Sequence, residues 1–184
     1  FGAVEFYNGA KKYGLKPIIG CEVYVAPESR HDKKEKHDLR DASYHLILLA
    51  QNNRGYQNLL KLVTLGYMEG FYYKPRIDKE LLAEHAEGLI ALSSCGRGEV
   101  AYNINKENIP RALKMAAQYS EIMGKNNFFL ELQDHKMEYQ KKINKALVVI
   151  GNKLSLPLVA TNNCHYLDRE DFHAHEILLC LQTG

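Results

Sequence analysis

Short apolar runs recur along this chain, and most are separated by a stretch of helical periodicity. The runs span 17–25, 44–50, 88–95, 128–132 and 156–160. Each is too short and too rich in aliphatic or β-branched residues to be a helix of its own, so each reads as a strand. Strands that are apolar throughout need cover on both faces. Amphipathic helices supply that cover in a mostly parallel α/β sheet or barrel. The sequence shows no internal repeat and no low-complexity segment.

The helical stretches carry their own stops and starts. Val4, Tyr7, Ala10 and Lys11 fit a helix that ends at Gly14. Asn52 or Asn53 caps a helix with Tyr56, Leu59, Leu60 and Val63 on one face. A short helix follows from Asp78. Asn108 caps another, with Pro110 in its first turn, Leu113, Ala116 and Ala117 facing inward, and an end near Gly124. Ile143, Ala146, Leu147, Ile150 and Leu154 mark the next. Asp168 with Asp171 opens the last, and His173 and His175 in it read as surface or packing residues.

Composition narrows the class. A chain of 184 residues with 46% hydrophobic content suits one domain of ordinary size. Its net charge of +2, from 24 basic and 22 acidic residues, does not by itself demand a nucleic-acid partner. The four cysteines are scattered and form no CxxC pair, which fits reduced thiols in the cytoplasm. No signal peptide is evident, and no apolar run approaches the ~20 residues of a membrane span. Phe1 is not a start methionine, and Gly184 closes the chain just after an apolar segment, so both ends read as cuts in something longer. Residues 28–42 are densely charged and read as a mobile surface loop with His31 and His37 solvated.

The candidate chemistry sits where strands end. In 156–167 an apolar run stops at polar residues, placing Asn163 and His165 where a strand hands over to a helix. That edge carries the sites of α/β sheets and barrels, and side chains at i and i+2 point the same way. Asn-x-His there is half of a metal site, or a polar loop with a hydrogen-bonded histidine. Glu22 lies within an apolar run, so it is either paired or metal-bound, or it faces solvent on an edge strand. His45 stands at the start of its run, which does not suit a site at the carboxyl edge. Cys95 ends another run, as a ligand or as a buried thiol. Asp134 and His135 form a second carboxylate–histidine pair at a strand end. The Gly-x-Gly of Gly96 and Gly98 is weak evidence for a phosphate loop. The aromatics of 70–76, interleaved with Lys74 and Arg76, either stack on bases or pack the loop onto the body.

Several strings carry a resemblance. They are Gly-Ala-Val-Glu-Phe-Tyr (2–7), Pro-Ile-Ile-Gly-Cys-Glu-Val-Tyr (17–24), Tyr-His-Leu-Ile-Leu-Leu-Ala (44–50), Gly-Phe-Tyr-Tyr-Lys-Pro-Arg-Ile-Asp (70–78), Leu-Ile-Ala-Leu-Ser-Ser-Cys (89–95), Glu-Leu-Gln-Asp-His (131–135) and Ala-Thr-Asn-Asn-Cys-His-Tyr-Leu (160–167). Taken in order, they resemble the polymerase and histidinol phosphatase (PHP) domain at the amino end of the alpha subunit of bacterial DNA polymerase III. The resemblance covers essentially all of residues 1–184.

It implies a distorted (β/α)7 barrel, here incomplete at its N-terminus, and up to three divalent metal ions, whether zinc, manganese or magnesium. It implies a metal set of Glu22, His45, Cys95, Asn163 and His165, with Asn163 standing where the family pattern has Asp. Asp134 and His135 match no family ligand and stay second-rank. The family's His-x-His and following Asp-His motifs would lie upstream of Phe1, and the polymerase aspartates far downstream of Gly184. The resemblance further implies a DNA-directed DNA polymerase as parent. Its partners would be DNA, the proofreading exonuclease subunit and other replicase subunits. The domain would serve as scaffold and as a weakened metal-dependent 3'-5' exonuclease. Two other readings compete: a free-standing phosphoesterase, in which metal-bound hydroxide attacks a phosphomonoester, and a partner-binding module without chemistry.

Overall fold

The computed structural model describes residues 2–33 and 43–183. His37 and most of the charged stretch lie outside the described residues. Among those described, the elements run α1 (Ala3–Lys12), β1 (Gly20–Val25), β2 (Tyr44–Ala50), α2 (Asn53–Met68), β3 (Arg76–Ile77), α3 (Lys79–Glu84), β4 (Leu89–Leu92), α4 (Glu99–Asn105), α5 (Ile109–Met123), β5 (Phe128–Leu132), α6 (Glu138–Leu154), β6 (Leu158–Ala160) and α7 (Phe172–Thr183). The strands form one mixed sheet in the order β3-β1-β2-β4-β5-β6.

One strand runs against the rest. β2 pairs antiparallel with both β1 and β4, whereas β1–β3, β4–β5 and β5–β6 are parallel. The start of β2 therefore lies at the edge where its neighbours end. That removes the objection to His45, which opens β2 and so sits at the carboxyl edge of the other strands.

The sheet's two faces are set by alternation. Val23, Val25, Leu46, Leu48, Leu89, Ala91, Phe128 and Leu130 are buried. They share the core with Leu59 and Leu62 of α2, Ala112, Met115 and Ala116 of α5, and Ile143, Leu147 and Ile150 of α6. Burial of each large aliphatic side chain contributes roughly 1.5–3 kcal/mol. Tyr119 of α5 stacks on Phe128 with ring centroids 5.5 Å apart. The opposite face carries Glu22, Tyr24, His45, Ile47, Phe129 and Glu131.

Several expectations shift on sight of the packing. β1 starts at Gly20 instead of residue 17, and β3 pairs with it only at Tyr24 and Val25, so Glu22 has β2 on one side and an open edge on the other, with its side chain 42% exposed. Among the described residues β3 and β6 are the outer strands of the sheet, and Leu158 of β6 is 39% exposed. Run 156–160 is thus not the buried strand its apolarity suggests, because β6 pairs only with β5. The buried face of α2 is Gly55, Asn58, Leu59, Leu62 and Gly66, leaving Leu60 half exposed. That of α5 is Ala112, Met115, Ala116, Tyr119 and Met123, not Ala117. Arg76, read as loop, opens β3, and its buried guanidinium donates to the carbonyls of Gly70, Arg30 and Asp32. The short helix α4 has no counterpart in the sequence reading.

The caps follow the sequence closely. The side chains of Asn52, Asp78 and Asn108 accept from the N–H groups of Gly55, Leu81 and Arg111. Behind the sheet, Glu99 is buried at the start of α4. Its Oε2 accepts from the Tyr119 hydroxyl at 2.9 Å and meets the Lys79 ammonium at 2.8 Å. Tyr119→Phe should remove the first of these bonds and cost about 1.5–3 kcal/mol, as for hydrogen bonds to charged groups. A shift in the urea midpoint at unchanged slope would measure it.

Candidate functional site

The site lies at the carboxyl edge of β1, β4, β5 and β6, and the reversed strand β2 brings His45 to the same edge. Tyr24 and His45 are directly opposed in the β1–β2 ladder, and Glu22 lies two residues along β1 on the same face. His45 Nδ1 is 3.2 Å from Glu22 Oε1 and 3.9 Å from Cys95 Sγ. The ring is further fixed by its backbone, whose N–H donates to the Arg97 carbonyl at 3.1 Å. Tyr24 meets it edge-on with centroids 5.2 Å apart.

These contacts set the charges. Burial alone would lower the His45 pKa, but the bonds and charges of Cys95 and Glu22 outweigh it and push it up to about 9. The bond from His45 holds the Glu22 carboxyl below its usual range, helped by the charges of His45, Arg97 and His165, against the opposing effect of burial. Burial pushes the Cys95 thiol up, yet His45 and the backbone N–H of Arg97 bring it below an ordinary thiol. Glu22 and His45 thus form an ion pair with Cys95 beside it, and His45 Nε2 is buried and without a hydrogen-bond partner among the described residues.

Beside this cluster opens a cavity of about 880 Å³, whose lining includes Cys95, Arg97, His135, Asn163, His165 and His175. Asn163 and His165 follow β6, and His135 follows β5. The backbone N–H of Asn163 donates to His135 Nε2 at 3.2 Å, and the Gln140 amide holds the His135 backbone and ring at 2.7 and 2.8 Å. Cys95, Asn163 and His165 therefore share one cavity, and Glu22 and His45 adjoin it through Cys95. His135 belongs there as well. Its companion Asp134 does not line it; Asp134 Oδ1 instead accepts from the Lys136 N–H at 2.9 Å.

Sequence reasoning passed over two contributors. His175 of α7 packs against His165 and Tyr166, with centroids 5.4 and 5.2 Å away; of its two readings, surface or packing, the second holds, and it packs at the cavity. Only its recurrence on a helix following Asn163 and His165 could have signalled this. Glu131 is buried, and its Oε1 accepts from Gln133 Nε2 at 3.0 Å and from the Thr161 hydroxyl. Its place in the strand 128–132 gave a signal that was not used: a carboxylate inside an apolar run.

A metal centre is the obvious use for such donors. Yet no three His, Cys, Asp or Glu among the described residues are placed to hold one ion together. Glu22 and Cys95 both face His45 Nδ1, and Asn163 brings a neutral amide. Among the described residues these donors do not make up a complete metal site. Nor is any helix among the described residues long and apolar enough to cross a membrane.

Comparisons with known proteins place the chain among sequence relatives. The family model of the PHP domain matches residues 1–135. DNA polymerase III subunit alpha of Treponema pallidum is 48% identical over 183 residues, covering 100% of this chain and 16% of the relative. The same subunit of Thermus aquaticus is 48% identical over 183 residues, with 100% and 15% covered. That of Borreliella burgdorferi is 47% identical over 184 residues, with 100% and 16% covered. The chain thus spans only 15–16% of the length of these curated relatives.

Proposed function

The chain belongs to the PHP domain family, and from that footing we propose that it is the PHP portion of the catalytic alpha subunit of a replicative DNA polymerase. The observation that carries this reading is identity of 47–48% across the whole chain to relatives named DNA polymerase III subunit alpha. On this reading residues 1–184 are one domain, and the six-strand sheet is the greater part of a distorted (β/α)7 barrel. Its parent is a cytoplasmic DNA-directed DNA polymerase. Its partners are DNA, the proofreading exonuclease subunit and other replicase subunits. The test is primer extension by the longer polypeptide that carries this chain. Template-directed extension is expected from that polypeptide, and none from residues 1–184 alone. A longer polypeptide that hydrolyses phosphomonoesters and extends no primer would overturn the proposal in favour of a phosphoesterase.

Within that parent the domain serves mainly as scaffold, and any metal-dependent 3'-5' exonuclease is weakened. Glu22, His45, Cys95, Asn163 and His165 would be its share of the ligands for a divalent metal such as zinc, manganese or magnesium. A bound ion would supply Lewis acidity and activate water for phosphodiester cleavage. The chain's own residues bear on how well it is held. The Asn163 amide oxygen can coordinate but carries no charge to offset clustered cations. Asn163→Asp in the longer polypeptide is therefore expected to raise bound metal, measured by elemental analysis after gel filtration. A wild type already holding a full complement, with no gain in the variant, would sink the weakened-site reading.

A further inference from the structure

Residues 67–74 form an aromatic surface that the site described above does not use. Tyr67 lies near the end of α2, and Phe71, Tyr72, Tyr73 and Lys74 follow before β3. Tyr67, Phe71 and Tyr73 are each exposed by half or more. The Tyr67 and Phe71 rings lie nearly parallel, at 25° with centroids 6.3 Å apart. Tyr73 meets Tyr72 edge-on at 4.6 Å.

The backbone is set to display these rings. Tyr73 has φ of 58°, in the left-handed region that bulky side chains avoid. The Tyr72 N–H donates to the Lys74 carbonyl at 3.0 Å and closes the turn around it. Strain of this kind collects where a side chain is held for a ligand, and here it holds a ring out in solvent.

Charge points the same way. The acidic residue of this segment, Glu69, is already paired with Arg30 at 2.7 Å. Lys74 follows Tyr73 and is exposed, its ammonium 5.5 Å from the Tyr24 centroid. Tyr24 is also the ring that meets His45. Tyr24 thus links Lys74 on one side to His45 of the site on the other.

We propose that residues 67–74 are a stacking platform for single-stranded nucleic acid, guiding a strand toward the cavity of Cys95 and His165. Exposed ring faces beside a cation match bases alternating with phosphates, and stacking of this kind is indifferent to sequence. The inference shares nucleic acid with the function proposed above but rests on a different surface.

The test is fluorescence anisotropy of a labelled oligo(dT) with the 184-residue chain, with thermal melts to confirm folding. Phe71→Ala and Tyr73→Ala are each expected to weaken binding about tenfold, while Tyr73→Phe binds as wild type. Lys74→Gln should reduce the slope of log affinity against log salt by about 0.7. Unchanged affinity in a folded F71A/Y73A variant would overturn the proposal. Preference for duplex over single strand would overturn it too. Primer extension by the longer polypeptide reports separately on the proposed polymerase role, so either idea can fail alone.

Discussion

Asp78→Ala is expected to destabilise the fold by about 3–5 kcal/mol, the range for breaking a buried ion pair from one side. Asp78 caps α3 through the Leu81 N–H at 3.0 Å. It also accepts from the Arg30 backbone at 2.9 Å and from the Arg30 guanidinium at 3.1 Å through both oxygens. Its side chain is only 3% exposed, so alanine would leave the backbone N–H groups of Leu81 and Arg30 unanswered and the Arg30 guanidinium with Glu69 as its remaining carboxylate partner. Chemical denaturation would measure the loss. The same bonds predict an acid limb. Burial pushes the Asp78 pKa up, but the two backbone N–H groups and the Arg30 charge outweigh it and hold it below its ordinary value. The unfolded chain then binds the proton more readily than the folded one, so this stabilisation is complete above the unfolded pKa near ~3.9 and is lost as pH falls through the lower folded value. Asp78→Asn, which does not titrate, should show a shallower acid limb.

Gly98→Ala is the second large effect. The φ of −66° would accept any residue, so the obstacle is space. A Cβ there would stand 1.9 Å from the Ser93 carbonyl oxygen and 3.2 Å from that of Cys95. Both are backbone atoms of the turn that presents Cys95, and Gly98 also bridges to His45 beside β2. The turn must open to admit the methyl group. Overpacking of this kind costs about 1–3 kcal/mol and occasionally more. It should also part Cys95 from His45. A lowered melting temperature, together with Cys95 thiol reactivity returning toward that of an ordinary cysteine, is the expected pair of observations. An unchanged melt would contradict it.

Gly98 also shows what could and could not be seen in the linear chain. Gly96 and Gly98 suggested at most a weak phosphate loop, whereas Gly98 is required by a close approach between backbone segments. Such approaches leave no periodic trace. The strands at 44–50 and 128–132, a cap at Asn52 or Asn53, a helix start at Asp78 and the cap Asn108 were legible, because apolar runs and side-chain caps are local. β3 and α4 were not: two strand residues and seven helical ones carry too little pattern. The direction of β2 was within reach, since no helical stretch separates runs 17–25 and 44–50, and a parallel pair needs a crossover. Without that step His45 looked misplaced. The convergence of Cys95, Asn163 and His165 followed from strands ending on one side. His175 and Glu131 came forward only when helix and sheet were packed.

The opposed pair of β1 and β2 has a consequence for how the chain reaches this fold. Val23 and Leu46 alternate with Glu22 and His45 along the ladder. A misalignment of one position would turn a strand's charged residues onto the face now packed beneath the helices. A carboxylate or imidazolium stranded there costs several kcal/mol. The polar groups that line the site thus also act as proofreaders of assembly, penalising the nearest wrong alignment at the centre of the sheet.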